Sequence, residues 1–481
     1  MTWEPVIGIE VHVELMTASK MFCGCKVDFT SEPNTNVCPV CLGLPGALPV
    51  TNKTAIEWIT KIGLALNCTI SDVSQFHRKN YFYSDQPKNY QISQFDVPVC
   101  HDGWIDVEAN GETTRVRINR AHMEEDTGKS IHTGDGGRIH SATGTLLDFN
   151  RAGVPLVEIV SEADIRTAVE ARAYAQSLRD IVATLGVSDV KLEEGSIRFD
   201  ANISIRPDSA SEFGTKVEIK NMNSFRSLER AIDHEIGRQA SVLESGGNII
   251  QETRHWDEEQ GVTHGMRSKE GSSDYRYFPE PDLLPISISD EWRAGIAATM
   301  PELPAARVAR YVDLGLDADT SAVLVGGEMG MWPLFEEAVD AGASPRQVAN
   351  WLVGETTAWL RREDTSLDES ALNGSHLASL AAMVDEGHLS ATAAKEVLAA
   401  VLDGAGDPES VARDLDLLQI SDLGPLEEAV DAAIVANQDQ FERLVAGEEK
   451  LIGFFVGQVM RSTGGKADPA LVTQILRARL S

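Results

Sequence analysis

The ten residues from position 6 to 15, VIGIEVHVEL, alternate strictly. On a strand, Ile9, Val11, Val13 and Leu15 share one face, and Glu10, His12 and Glu14 share the other. Two carboxylates flanking an imidazole can hold a divalent cation or move a proton. Taken alone, the strand equally fits a solvated outer face. Later strands repeat the pattern, and that shifts the balance toward chemistry.

In SIRFDANISI, Arg198, Asp200, Asn202 and Ser204 share a face. In TKVEIKN, Lys216, Glu218 and Lys220 do the same. Arg115, Arg117 and Asn119 line one side of TRVRIN, which leads into HMEEDTGKS with its adjacent Glu124 and Glu125. Paired in one sheet, these strands would present a broad charged cavity. Glu10, His12, Glu124, Glu125, Asp200 and Glu218 would then form an oxygen-rich set with one imidazole, suited to Mg²⁺ or Mn²⁺ rather than zinc. Each acid taken singly reads as a surface residue. GKS at 128–130 is not a phosphate loop, because Met123 stands where the first glycine is required. GDGGR at 134–138 lacks the spacing of a dinucleotide fingerprint. HRKNYFYSD, with Lys79, Tyr81 and Tyr83 alternating, could stack on a base or hold a phosphate, or simply pack. The stretch at 266–283 carries Arg267, Lys269, Arg276 and Tyr277 in loop-like sequence.

Cys23 and Cys25 make a CxC, followed after twelve residues by Cys38 and Cys41 in CPVC. Four thiolates with a turn-rich loop between them fit a structural zinc knuckle, since protein would fill all four positions. Four reduced thiols without metal are the other reading.

The 481 residues suffice for two to four domains. With 42% hydrophobic and 24% charged residues the composition is that of a soluble globular protein. No apolar run approaches the ~18 residues of a membrane span, and the N-terminus lacks a signal-peptide pattern, so a cytoplasmic protein is expected. The net charge of −32 excludes a general nucleic-acid coat, which would need a surplus of Lys and Arg. It leaves room for a local contact, and the C-terminal region carries a basic cluster at Arg461, Lys466, Arg477 and Arg479. Helical patterns fall at 54–66, 167–185 and 224–245. After the breaker PEPDLLP at 279–285 they recur at 290–299, 304–314, 322–341, 345–362, 376–386 and 391–403. The expected fold is α+β. An antiparallel-sheet cradle domain (1–290) carries the knuckle at 23–41, an all-α helical domain spans 291–404, and GAGDPES at 404–410 links to a small α-helical tail domain (405–481).

Eleven segments, among them IGIEVHVEL, CPVCLGLPGALPVTN, RKNYFYSDQPKNYQISQ, HMEEDTGKS, FNRAGVPLVEIVSE, EEGSIRFDANISIRP, EIKNMNSFR and LIGFFVGQVMRSTGGKADP, resemble the B-subunit family of aspartyl/glutamyl-tRNA(Asn/Gln) amidotransferases. The resemblance runs from residue 6 to the C-terminus. It implies an enzyme that uses ATP and Mg²⁺ to phosphorylate the side-chain carboxylate of Glu-tRNA(Gln) or Asp-tRNA(Asn). Ammonia from a partner glutaminase (the amidase of a heterotrimer) would then displace the phosphate, with a small belt protein tying the two larger chains together. It implies metal binding at Glu10, His12, Glu124, Glu125, Asp200 and Glu218. Among these, Glu10, His12, Glu125 and Asp200, with Lys79 and Tyr81, form the expected catalytic set. Lys79 and Tyr81 would stand at the end of the ammonia route or in the acyl-end pocket, and Lys79 could act as a base only if its pKa fell. The four cysteines match the zinc-binding version of the family. The basic tail fits contact with the tRNA elbow. A non-catalytic zinc-knuckle RNA-binding scaffold is the competing reading; it leaves the polar-faced strands unexplained.

Overall fold

The computed structural model describes all residues except 1, 29, 134–143, 209, 267–274, 327–329, 420–422 and 481. The chain divides into two units, Met1–Leu303 and Pro304–Ser481.

Strands of the first unit are, in chain order, β1 (Trp3–Glu14), β2 (Thr69–Ile70), β3 (Val73–Ser74), β4 (His77–Asn80), β5 (Tyr90–Ser93), β6 (Cys100–Ala109), β7 (Glu112–Glu125) and β8 (Lys129–Thr133). They continue with β9 (Gly144–Asp148), β10 (Pro155–Ser161), β11 (Ile197–Pro207), β12 (Val217–Lys220), β13 (Thr253–Asp257), β14 (Val262–Gly265), β15 (Phe278–Pro279) and β16 (Ile286–Ser287). Nine of them make one sheet in the order β14-β13-β12-β11-β1-β10-β7-β6-β2. Its pairs are antiparallel apart from β12 with β13. β1 lies at the centre, with Glu10 opposite Asp200 and His12 opposite Arg198 on one side, and His12 opposite Glu158 on the other.

Period-2 alternation sets the two faces of this sheet. Ile7, Ile9, Val11 and Val13 are fully buried against helices α1 (Lys53–Ala65), α2 (Ala168–Leu185) and α3 (Phe225–Glu244). These helices start where their capping residues dictate. Asn52, Thr167 and Ser224 each accept from a backbone N–H of the first turn, and Thr167 forms a reciprocal capping box with Glu170. All three helices pack their apolar stripes on the same side, so the other face of the sheet keeps its charges. β4, β5 and the short β15 form a separate three-stranded sheet, and side chains of β4 and β5 reach the open face near the end of β7.

β7 holds one irregularity with consequences for the site. The register slips between Val160 and Ser161 of β10, leaving Asn119 as an extra residue. Before it, Val116 and Ile118 face the core; after it, Ala121 and Met123 do.

The second unit is helical among its described residues: α5 (Pro304–Asp313), α6 (Ala318–Val325), α7 (Trp332–Asp340), α8 (Pro345–Trp351), α9 (Thr357–Glu363), α10 (Gly374–Asp385), α11 (Ala391–Leu402), α12 (Pro408–Asp414), α13 (Leu423–Ala436), α14 (Gln438–Val445), α15 (Leu451–Ser462) and α16 (Pro469–Leu480); α4 (Asp290–Ala297) ends the first unit. The expected helix at 322–341 is two helices, α6 ending at Gly326 and α7 starting with Pro333 in its first turn. The expected helix at 345–362 is interrupted by a π-helical turn, Leu352–Thr356. The expected linker at 404–410 contains the start of α12. Val411 and Ala412 belong to the same apolar cluster as α5–α11, with Leu417 and Leu418 packed on it. A separate cluster begins at Leu426, so the change of packing falls after 418 rather than at 405. No helix among the described residues is long and apolar enough to cross a membrane.

Candidate active site

The open face carries a row of titratable side chains across five strands. Its centre is His12, Glu124 and Glu158, whose ligand atoms lie within 4.8 Å of one another. His12 Nε2 stands 3.4 Å from Glu158 Oε2. His122 Nε2 is 3.5 Å from Glu124 Oε1 and 3.8 Å from Glu158 Oε2. Ser93 Oγ and Gln91 Nε2 donate to the two oxygens of Glu124 at 2.8 and 3.0 Å. Lys79 Nζ lies 3.4 Å from Glu124 Oε1 and over the ring of Tyr275.

The electrostatics favour charge in this cluster. Burial opposes ionisation of Glu124, but Lys79 and His122 outweigh it and hold the carboxyl well below its usual range. Glu158 is likewise buried and likewise lowered, by His122 and His12. Burial works against a charged His12, yet its contact with Glu158 raises its pKa. For Lys79, burial is outweighed by Glu124 and the ammonium is held above its ordinary range. The fall in pKa that a basic role for Lys79 would require is therefore not what its surroundings produce; they favour its ammonium form.

On the other side of β1, Asn202 Nδ2 donates to Glu10 Oε1 at 3.0 Å. Lys220 Nζ bridges Asp200 Oδ2 at 2.5 Å and Glu218 Oε1 at 2.9 Å. Burial, with Glu158 and Glu218 nearby, raises the pKa of Glu10. Along the whole row five carboxylates (Glu10, Glu124, Glu158, Asp200, Glu218) stand against three cations, Lys79, Lys220 and Arg120, the last 3.9 Å from Glu158 Oε1. That surplus of oxygen donors is the composition a Mg²⁺ or Mn²⁺ site requires. Two oxygens on one Mg²⁺ lie at most ~4.2 Å apart, so the central cluster is within a small side-chain adjustment of holding one.

Glu125 is not part of this group. Adjacent strand residues point to opposite faces, and Glu125 turns away from Glu124 to pair with Lys88 and accept from the backbone N–H of Ile92 at 2.9 Å. It lines a small cavity with Lys20, Phe22, Cys23, Cys41, Lys88 and Tyr90 among others. The expectation of one ligand set holding both Glu124 and Glu125 is corrected here, because the strand geometry separates them. Tyr81 is in edge contact with Tyr83 and Tyr275, beside Lys79. Arg115 and Arg117 stand before the Asn119 irregularity and pair with Asp106 and Asp164 at its exposed end. Arg267, Lys269 and the GDGGR stretch lie outside the described residues.

Two central residues are not assigned from sequence. Glu158 is the one acid in the apolar strand PLVEIVS, and an acid in such a run must have a partner. His122 precedes the acids of HMEED and shares a face with Glu124 at period 2. A further unassigned feature lies beside the cluster. Glu14 and Asp126 are both buried and in contact; burial and Asp126 push the Glu14 carboxyl up, while Arg198 and Arg151 hold Asp126 down.

The four knuckle cysteines converge, with their sulfurs within 4.8 Å of one another. Cys38 Sγ and Cys41 Sγ are 3.9 Å apart, close to the ~3.8 Å edge implied by four Zn–S bonds of ~2.3 Å in a tetrahedron. The backbone N–H of Cys38 donates to Cys41 Sγ at 3.1 Å. The intervening loop is tied down by Asn34, which accepts from Phe149 N and donates to Leu147 O, and by Asn150, which donates to Glu32 O.

In the second unit, Lys466 pairs with Asp416 and Arg479 with Asp431. Arg461 and Arg477 lie in the last turns of α15 and α16, both exposed.

Comparison with known proteins adds to this geometry. Residues 5–294 match the family model described as the GatB/GatE catalytic domain, and residues 333–480 match the GatB domain. The chain is 48% identical over 480 residues to the B subunit of aspartyl/glutamyl-tRNA(Asn/Gln) amidotransferase from Brevibacillus brevis, covering 100% of this chain and 99% of the relative. The protein of the same name from Persephonella marina is 48% identical over 482 residues, with both chains covered completely. That from Thermodesulfovibrio yellowstonii is 48% identical over 477 residues, covering 99% of each. An antiparallel sheet with one face left charged, a cysteine knuckle at its side and a helical second unit thus occur in a chain that matches these proteins from end to end: it belongs to the B-subunit family of aspartyl/glutamyl-tRNA(Asn/Gln) amidotransferases.

Proposed function

We propose that this chain is the component that activates and amidates the side-chain carboxylate of misacylated Glu-tRNA(Gln), Asp-tRNA(Asn) or both. It would work as a glutamine-dependent C–N ligase in the cytoplasm, in a heterotrimer with a glutaminase and a small belt protein. The observation that carries this reading is the His12–Glu124–Glu158 cluster flanked by Lys79 on one side and by Glu10, Asp200 and Glu218 on the other. A carboxylate repels nucleophiles, so it must first gain a leaving group. Its oxygen attacks the γ-phosphorus of ATP, ADP departs, and an acyl phosphate forms. Ammonia then attacks the carbonyl carbon and phosphate leaves, carrying the proton that nitrogen loses.

Mg²⁺ at this site would neutralise phosphate charge during the transfer. His12, Glu124 and Glu158 would hold it, with Glu10, Asp200 and Glu218 beside them for a second ion or for orienting water. Lys79, held as an ammonium, offers a fixed charge for a phosphoryl or carboxylate oxygen. Tyr81 walls the Lys79 end. Zinc on Cys23, Cys25, Cys38 and Cys41 would be structural. Arg461, Lys466, Arg477 and Arg479 would contact the tRNA away from the acceptor end.

The test is to co-express the chain with its glutaminase and belt partners and follow γ-labelled ATP with Glu-tRNA(Gln), glutamine withheld. Phosphate release or a trapped acyl phosphate that depends on the misacylated tRNA, and is lost in Glu10→Ala, is the expected result. Turnover with Asp-tRNA(Asn) alone would keep the chemistry and assign the substrate. Binding of tRNA without turnover on either would favour the scaffold reading.

A further inference from the structure

We infer that Lys20 is the countercharge of the four-cysteine metal centre, a positioning cation that lets the sulfurs stay ionised together; the inference rests on the zinc reading of that cluster. Lys20 is 1% exposed. Its ammonium donates to Asn36 O at 2.8 Å and Phe149 O at 3.2 Å, and its third close neighbour is Cys41 Sγ at 3.9 Å. No carboxylate lies within 4 Å of it among the described residues.

A buried cation with only carbonyl partners carries a large desolvation penalty. Something anionic must offset it. Glu125, the acid lining the same cavity, lies beyond 4 Å from the Lys20 ammonium and takes Lys88 on its Oε1. The group in direct contact with the ammonium that can carry a negative charge is Cys41 of the sulfur cluster. Four thiolates around Zn²⁺ carry a net charge of about −2, whereas four thiols carry none. The buried ammonium and the sulfurs are therefore matched in charge only when the cysteines are ionised, and a metal is what keeps four adjacent thiolates ionised. The two carbonyls Lys20 holds belong to the knuckle loop (Asn36) and to the segment after β9 (Phe149), so the same cation fixes the loop against the wall it leans on. The other reading of the knuckle is four reduced thiols without metal; the burial of Lys20 beside Cys41 argues against it.

The test uses the full chain, stripped with a chelator and titrated with Zn²⁺ against a chromophoric competitor. Lys20→Met should weaken Zn²⁺ affinity about 10- to 100-fold and Lys20→Arg by far less, while Co²⁺ in either variant keeps the absorption of a four-thiolate tetrahedral site. Thermal melts supply a readout that a merely structural lysine would not move. With zinc bound, wild type should melt above Lys20→Met; with zinc removed the order should reverse, because the ammonium then lacks its anionic partner. Equal affinities, or the same order of melting in both states, would overturn the inference. If Lys20→Met does not fold, the wild-type chain decides: acylation of Lys20 by a water-soluble ester, mapped by mass spectrometry, should rise several-fold on zinc removal, and no rise overturns the proposal. A wild-type chain that takes up no Zn²⁺ would instead remove the zinc reading itself, and this inference with it.

Discussion

His12 and Glu158 face each other across the β1–β10 pair, and their side chains meet at 3.4 Å between Nε2 and Oε2. Each shifts the other toward its charged form. That contact joins the strand whose polar face is obvious in the sequence to one whose polarity is a single acid.

Glu158→Gln should therefore cost more than a surface substitution. It removes one carboxylate from the central cluster and leaves His122 and His12 without their shared partner. We expect tRNA-dependent phosphate release to fall by about 10²–10³-fold, the range seen when one preorganised electrostatic group is removed. Circular dichroism and tRNA affinity should be unchanged; activity within about threefold of wild type would take Glu158 out of the site.

Lys79 is held as an ammonium by Glu124, so its raised pKa lies on the alkaline side of its ordinary value near 10.4. Its contribution to folding is complete below that ordinary value and fades only as pH rises through the folded value. Between pH 6 and 10 Lys79 does not titrate. Any limb in the activity profile over that range should persist unaltered in Lys79→Arg, whereas Lys79→Met should lose most activity at every pH. Parallel pH–rate profiles of the three proteins check both statements.

Cys68 is buried in the core under β6, and burial pushes its thiol up to about 12. A folded value above the unfolded one means stability that is complete below about pH 8.5 and is lost as pH climbs toward 12. Native Cys68 should resist iodoacetamide at pH 8, while urea-unfolded chain is alkylated there within minutes; peptide mapping would settle it.

Ile9→Ala opens a cavity between β1 and the helical layer at a fully buried position. A loss of about 2–5 kcal/mol is expected, read from urea unfolding. Because Ile9 points away from the row, ATP-dependent turnover per folded molecule should stay near wild type.

Replacing Arg461, Lys466, Arg477 and Arg479 with Ala should weaken tRNA binding and leave the glutaminase activity of the assembled complex intact. The two unequal pairs sharpen this. Lys466 and Arg479 are engaged by Asp416 and Asp431, so Arg461→Ala with Arg477→Ala should account for most of the loss, and should reduce the slope of log affinity against log salt by about 1–2. An unchanged affinity in the fourfold variant would remove the tail from the tRNA contact.

Much of the candidate site is legible because a strand has a strict period. Glu10, His12, Asp200, Asn202 and Glu218 share a face by counting alone, and the antiparallel register puts them side by side. The same counting, applied strictly, separates Glu124 from Glu125. Glu158 is harder, since one acid among Leu, Val and Ile gives no alternation to read; its signal is the cost of burying it. His122 gains its role from the fold, through a partner strand 36 residues later in the chain. Helix boundaries follow capping residues well, as at Thr167 and Ser289. They fail where Gly326 and Pro333 break a continuous apolar pattern, and where Val411 and Ala412 join a core that glycine-rich sequence suggests has ended.

The extra residue at Asn119 acts as a phase shifter. Even-numbered residues of β7 face inward before it and odd-numbered ones after it, so the strand carries two frames joined at one position. Asn119 is extra only against β10: on its other side it lies opposite Asp102, between the His101–Arg120 and Gly103–Ile118 pairs, so deleting it alone would close the slip against β10 and open one against β6. A one-residue insertion or deletion between 120 and 123 would turn His122 and Glu124 toward the apolar helices instead. A length change at Asn119 should therefore be accompanied among relatives by a matching one at Asp102, and length changes should be absent from the stretch that carries His122 and Glu124.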